Sequence, residues 1–362
     1  MELLRYCTNL PKVELHAHLN GSLSDATVLG LLKTRTQRDA DPSLAAAEVT
    51  IKKGHQRTLE ECFQVFGILH SLTDTLEAVQ TITRDVIREF AADNVRYLEL
   101  RTTPKHVPDR MTKKQYMDAV LQATVEAMVS HNIRVRLLLS IDRARGVEDA
   151  WSTLHLAKDY LNHTVFGPLV CGLDVSGNPV CGDLQDYLPV LQAARSCGLK
   201  LAVHLAEVPS ETEALAVLNS GLVDRIGHGT FLHPASGGSQ ALHTLLKDQN
   251  IPLELCMSSN VKTGTVKTPS EHHLGLWRKE NHPLVICTDD KGVFSTSLSE
   301  EFVLCAQVRP IRGQTFSFCE EDLHSLSLSG VEAAFLSPTD KQTLRREVQQ
   351  ELDALKGKLA SR

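Results

Sequence analysis

Val13-Glu14-Leu15-His16-Ala17-His18-Leu19-Asn20-Gly21 is a short apolar run closed by two histidines one residue apart. In a strand, side chains at i and i+2 share a face, so both imidazoles can point at one spot. A chain with 16 histidines can hold such a pair by chance. Its meaning depends on what later strands bring to the same place.

Working outward from this first run at 13–17, seven further β-rich runs follow, at 95–100, 133–141, 169–175, 199–204, 225–227, 251–256 and 284–287. Between them, 116–128, 150–161, 184–194 and 241–246 carry apolar residues at helical spacing. Strands alternating with helices imply right-handed crossovers and a parallel sheet. Eight of them imply a closed TIM (β/α)8 barrel. The stretch 22–94 is too long for one crossover helix and reads as helices near 25–33, 59–72 and 75–92, with a polar interruption near 37–43. An insertion after a barrel strand is expected to cap the catalytic mouth. After the last run, 298–306, 320–328 and 341–359 read as terminal helices. No repeat, low-complexity tract or linker divides the 362 residues, so a single domain over 1–362 is expected.

A hydrophobic fraction of 42% and a charged fraction of 23% are those of an ordinary globular chain. The net charge of -6 argues against a nucleic-acid polymer as partner, and any bound anion needs a local positive site. Nine scattered cysteines with no Cys-x-x-Cys pattern fit reduced thiols in the cytosol. No run is long and apolar enough for a signal peptide or a membrane span.

The fifth run ends in His204-Leu205-Ala206-Glu207, the sixth in Gly227-His228-Gly229, and the eighth in Thr288-Asp289-Asp290. In a parallel barrel those C-terminal ends converge on one face. With His16 and His18 they assemble histidines, a glutamate and two aspartates in one mouth. Three imidazoles and a carboxylate suit a borderline divalent ion, zinc first, with a water in the open position. Such a metal makes hydroxide available at neutral pH. Glu207 can then act as proton donor or acceptor, His228 between its glycines can orient the nucleophile, and Asp290 can hydrogen-bond it while Asp289 ligates. The zincin His-Glu-x-x-His and the His-x-Glu with Pro-Cys-x-x-Cys of other zinc deaminases are both absent.

These motifs, in this order over about residues 13–296, resemble the adenosine and AMP deaminase family of barrel amidohydrolases. The resemblance implies one Zn2+ held by His16, His18, His204 and Asp289. It also implies that Glu207 protonates a purine ring nitrogen while hydroxide on the metal attacks purine carbon 6. His228 and Asp290 would position that hydroxide, His18 and Asp290 would also face the substrate, and the Gly177 backbone would meet the base.

Nucleoside-specific members usually carry Asp where this chain has Asn20. Exchanging that carboxylate for an amide removes a charge that would repel a phosphate, worth roughly 1 kcal/mol at about 4 Å in water and more in a buried site. The second run ends at the same mouth in Thr102-Thr103-Pro104-Lys105, two hydroxyls, a turn-shaping proline and a cation suited to cradle phosphate. These features resemble the branch that hydrolyses N6-methyl-AMP and related nucleoside monophosphates to IMP and an alkylamine, which further implies substrate contacts from His70 and Asp142. Where Gly177-Asn178 stands, other members often have Gly-Asp. Nor is there the long N-terminal regulatory extension of large AMP deaminases. The expectation is a monomeric cytosolic enzyme of a small nucleotide. Plain adenosine deamination and a catalytically inactive nucleoside-binding barrel are the competing readings.

Overall fold

The computed structural model describes residues 2–38, 43–54, 57, 59–307 and 318–360. Eight strands form one sheet in sequence order: β1 Lys12–His18, β2 Val95–Thr102, β3 Arg134–Asp142, β4 Val170–Ser176, β5 Lys200–Leu205, β6 Arg225–His228, β7 Leu253–Leu255 and β8 Leu284–Ile286. Every neighbouring pair is parallel. The ring closes just beyond β8, where Asp289 N–H donates to His16 O at 2.8 Å and His18 N–H to Asp289 O at 3.0 Å. The architecture is the TIM barrel read from the sequence. Strands covered on both faces explain why the runs were almost continuously apolar.

The outer helices bury the stripes that the spacing indicated. The helix Lys113–Ser130 turns Tyr116, Met117, Val120, Leu121 and Ala127 inward and opens with a Thr112–Gln115 capping box. The insertion after β1 holds the helices Asp25–Arg38, Ser43–Lys52 and Leu59–Leu72. Part of the polar interruption, residues 39–42, lies outside the described residues. The insertion does reach the mouth: Arg57 donates to Gly292 O at 2.9 Å and Val293 O at 3.2 Å, and Lys105 donates to Thr73 Oγ1 at 2.8 Å. The helix Leu76–Ala92 is different, because it packs along Lys113–Ser130 and β2 as the crossover of the outer ring.

Beyond β8 come the helices Leu298–Gln307, Glu320–Ala333 and Pro338–Ala360. The last lies at the opposite end of the barrel, where Glu351 and Glu347 pair with Arg96 and Arg134 at the starts of β2 and β3, at 2.8 and 2.7 Å. It therefore seals the base and leaves the mouth to the insertion. All nine cysteines are free. Among the described residues no helix is long and apolar enough to cross a membrane.

Candidate active site

Four strand ends build the mouth. β1 ends in His16 and His18, β5 in His204 with Glu207 just beyond, β6 in His228, and the chain leaving β8 carries Asp289 and Asp290. Three residues here take the left-handed backbone without being glycine: Ala206 at φ 54°, His228 at 62° and Asp289 at 59°. Each such position costs on the order of 1–3 kcal/mol and is kept where surrounding structure over-determines it. The turns swing consecutive polar side chains into one cavity instead of alternating them.

The ligand atoms of His16, His18, His204 and Asp289 all lie within 4.8 Å of one another. His18 Nε2 is 3.2 Å from His204 Nε2 and 3.4 Å from Asp289 Oδ1. His16 Nε2, fully buried and 3.3 Å from Asp289 Oδ1, has no hydrogen-bond partner. Two facing imidazole nitrogens, an orphaned third and a carboxylate make a donor set that fits a divalent cation of borderline softness.

The far sides of three of the four ligands are held. His16 Nδ1 meets Glu254 Oε2 at 2.8 Å, His204 Nδ1 meets Val175 O and Asp174 Oδ1 at 3.0 Å each, and Ser259 Oγ donates to Asp289 Oδ2 at 2.7 Å. Such outer partners fix ring orientation and ligand basicity. Burial alone would raise the Asp289 carboxyl, yet the His16 ring against it and the other surrounding imidazoles hold it well below the usual range. Burial, with His204 adding to it, pushes His18 down to about 3, so that ring is neutral.

Beside this group stand Glu207, His228 and Asp290. Glu207 Oε2 is 3.6 Å from His228 Nε2, which is 3.8 Å from Asp289 Oδ2. Burial raises the Glu207 carboxyl, and burial together with Asp289 raises Asp290 well above its ordinary value. The site thus sets one carboxyl shifted well down beside two shifted up. Asp290 lies against the α-carbon of Gly21, where a Cβ could not fit. The glycine before His228 lets the His16 ring pack against it: a Cβ on Gly227 would stand 2.9 Å from His16 Cε1.

Below the metal group the barrel interior is ionic. Arg101 donates to Asp174 Oδ1 and Leu15 O, both at 2.9 Å, and also to Glu254. Arg225 donates to Glu254 Oε1 at 2.6 Å and Glu99 Oε2 at 2.5 Å, all fully or almost fully buried. Sequence reasoning missed Glu254, Asp174, Ser259 and Asn260 as site residues. A lone carboxylate inside Leu253-Glu254-Leu255 or Leu173-Asp174-Val175 was the available signal, because a charge in a doubly covered strand needs a partner.

The other end of the mouth is looser. Thr102 Oγ1 is 2.6 Å from Tyr116 OH, so its hydroxyl is already engaged. Asn20 lies beside Tyr116 with its carboxamide oxygen buried and unpaired. Thr103 is half-buried, and buried Pro104 accepts from Arg145 at 3.3 Å through its carbonyl. Lys105 Nζ donates to Thr73 Oγ1 and to His70 O at 3.3 Å, and burial lowers it to about 8. His70 is exposed, within electrostatic reach of Lys105, Arg145 and Asp142. Asp142 pairs with Arg145 at 3.3 Å and packs against Gly177, whose φ of 98° and lack of a Cβ admit that carboxylate. Arg145, a cation not singled out from the sequence, links Pro104 and Asp142 here, while His18 and Asp290, also named for substrate, stand with the metal group.

The sequence model described as Adenosine deaminase matches residues 11–351, a span that contains every residue named above. The chain belongs to the adenosine deaminase family and is a deaminase, a hydrolase acting on C–N bonds. It is 44% identical to the N6-methyl-AMP deaminase-L of Xenopus laevis over 95% of this chain and 94% of the relative. The apo N6-methyl-AMP deaminase of Arabidopsis thaliana superposes with a TM-score of 0.85 at 37% identity, covering 96% of this chain and 98% of that one. An Arabidopsis structure complexed with IMP matches with a TM-score of 0.85 at 36% identity over 97% and 99% of the two chains.

Proposed function

We propose that this chain is a zinc-dependent N6-methyl-AMP deaminase: N6-methyl-AMP and water give IMP and methylamine. The observation that carries the reading is one mouth with a metal-ligand quartet and buried carboxyls at one end, and a charge-neutral Asn20 with Lys105 at the other. The names and ligands of the similar proteins agree with it. His16, His18, His204 and Asp289 would hold the zinc, whose contribution when bound is to lower the pKa of a water towards about 7.

The rest falls to the chain's own groups. Glu207, whose carboxyl burial shifts towards holding a proton, donates to a ring nitrogen of the purine and makes carbon 6 more electrophilic. His228 and Asp290 orient the attacking water, His18 also packs against the substrate, and the Gly177 backbone meets the base. His70, Thr102, Thr103, Pro104, Lys105 and Asp142 form the wall for the ribose phosphate, with Thr102 acting through its bond to Tyr116. Asn20 leaves that wall without the carboxylate that would repel phosphate. The reading includes one catalytic domain over 1–362, a monomer in the cytosol, and no polymer or membrane partner.

The test uses equal amounts of N6-methyl-AMP, AMP, N6-methyladenosine and adenosine, followed by ultraviolet absorbance. N6-methyl-AMP is expected to turn over fastest. Rapid conversion of adenosine to inosine would replace this reading by adenosine deamination, and no turnover of any of the four would leave a binding barrel.

A further inference from the structure

His228 touches the site through Nε2, and what it can do there depends on which ring nitrogen carries hydrogen. That choice is legible from a fixed donor several bonds away. The backbone N–H of Leu274 can only donate, and it points at His272 Nδ1 at 3.0 Å. His272 Nδ1 is therefore the acceptor, and its Nε2 bears the hydrogen that faces Asn260 Oδ1 at 3.0 Å. This settles which end of the Asn260 amide is oxygen. Its Nδ2 then donates to His228 Nδ1 at 3.2 Å and to Thr265 Oγ1 at 3.3 Å. His228 Nδ1 must accept, which leaves its hydrogen on Nε2.

We infer that His272 and Asn260 are positioning residues that lock His228 into the tautomer with hydrogen on Nε2, so that its ring enters the site as a hydrogen-bond donor only. Burial keeps His272 neutral, as the chain of donors requires. His273 secures the same strand end from beneath, its Nε2 donating to His228 O at 2.9 Å. A locked donor can orient an attacking water or steady negative charge forming on oxygen, but it cannot take the water's proton. That proton has to pass to another acceptor, such as the Glu207 carboxylate left once its own proton has gone to the purine ring.

The same logic separates this relay from the molecule's other histidine–carboxylate group, His233, His243 and Glu280. There Ala235 N–H donates to His233 Nδ1 at 3.0 Å, so His233 Nε2 carries hydrogen towards Glu280 Oε1 at 3.2 Å. That group is a hydrogen-bonded cluster packed on Trp277.

The consequence for turnover rests on the proposed part of His228 in hydrolysis; the tautomer does not. Histidine-selective 15N labelling and long-range 1H–15N correlation spectra of the wild-type protein read the tautomer directly, with the His228 signals assigned by their loss in His228→Gln. Hydrogen on Nε2 is expected, and hydrogen on Nδ1 would overturn the inference whatever the substrate proves to be. Asn260→Asp keeps the shape but offers Nδ1 an acceptor, and should flip the ring. Its kcat is expected to fall by about 100-fold or more, with KM within about 3-fold of wild type. Asn260→Ala, which removes the donor without adding an acceptor, should be the less damaged of the two. An isosteric Asp variant more active than Ala would mark Asn260 as packing alone and overturn its assigned part.

Discussion

At the metal end of the mouth, every donor sits on a strand end or within three residues of one and is buried or nearly so, and three of the four have the far side tied to a second buried group. Glu254 holds His16, Asp174 holds His204, and Ser259 holds Asp289. At the end proposed for phosphate, Lys105 lies on a loop, exposed His70 on an inserted helix and Asp142 at the tip of β3, with Lys105 donating to the His70 carbonyl and Asp142 pairing with Arg145. On the proposed reading, the first end keeps reacting groups in one geometry and the second selects what enters. Damage at the first should therefore appear in kcat and metal content, and damage at the second in KM and in the choice between nucleotide and nucleoside.

The largest expected loss is from Glu207→Gln, which keeps shape and removes the transferable proton. Its kcat should fall by about 10²–10⁴-fold while metal content, measured by elemental analysis, stays at the wild-type level. Substantial remaining activity would move the proton donor elsewhere. Next comes Glu254→Gln, which leaves Arg101 and Arg225 facing a neutral amide. Metal affinity or activity should drop about 10–100-fold, and denaturant unfolding should show a stability loss of about 3–5 kcal/mol. A variant of unchanged stability would mean that the ionic layer beneath the site does not support it.

At the phosphate end, Lys105→Met should raise KM for N6-methyl-AMP by roughly 10-fold or more and leave N6-methyladenosine unaffected. The wild-type pH dependence is a subtler version of that experiment. Burial lowers the Lys105 ammonium to about 8, so the charge is present below that pH and fades above it. The nucleotide KM should therefore climb as pH rises from about 7 to about 9, while the nucleoside KM does not follow. Asn20→Asp carries the smallest expected effect, a rise of several-fold in nucleotide KM from one restored negative charge at about 4 Å.

The same contrast explains what could be read without coordinates. His16, His18, His204 and Asp289 were legible because a barrel brings strand ends together whatever the connecting chain does. Glu254 and Asp174 were not, since each is a single polar letter in an apolar strand and its partner is named only by the pairing across the interior. The helix Ser43–Lys52 went unread beside a polar interruption, and Glu211–Asn219, Met257–Lys262 and Leu274–Lys279 are too short to show periodicity. Two of those short helices bring Ser259, Asn260 and the His272 turn to the site. The loops that form the phosphate rim were legible as residue types, but the engagement of Thr102 by Tyr116 and the presence of Arg145 depend on side-chain directions that spacing does not carry.

The central claim, that one end does the chemistry and the other chooses a nucleotide, reduces to a ratio of ratios. The measurement is kcat/KM for N6-methyl-AMP over that for N6-methyladenosine, in the wild type and in Lys105→Met. The wild type is expected to favour the nucleotide strongly, and the variant to lose most of that preference while keeping its kcat. Equal use of nucleotide and nucleoside by the wild type would contradict the claim, as would a variant that loses kcat and keeps its preference.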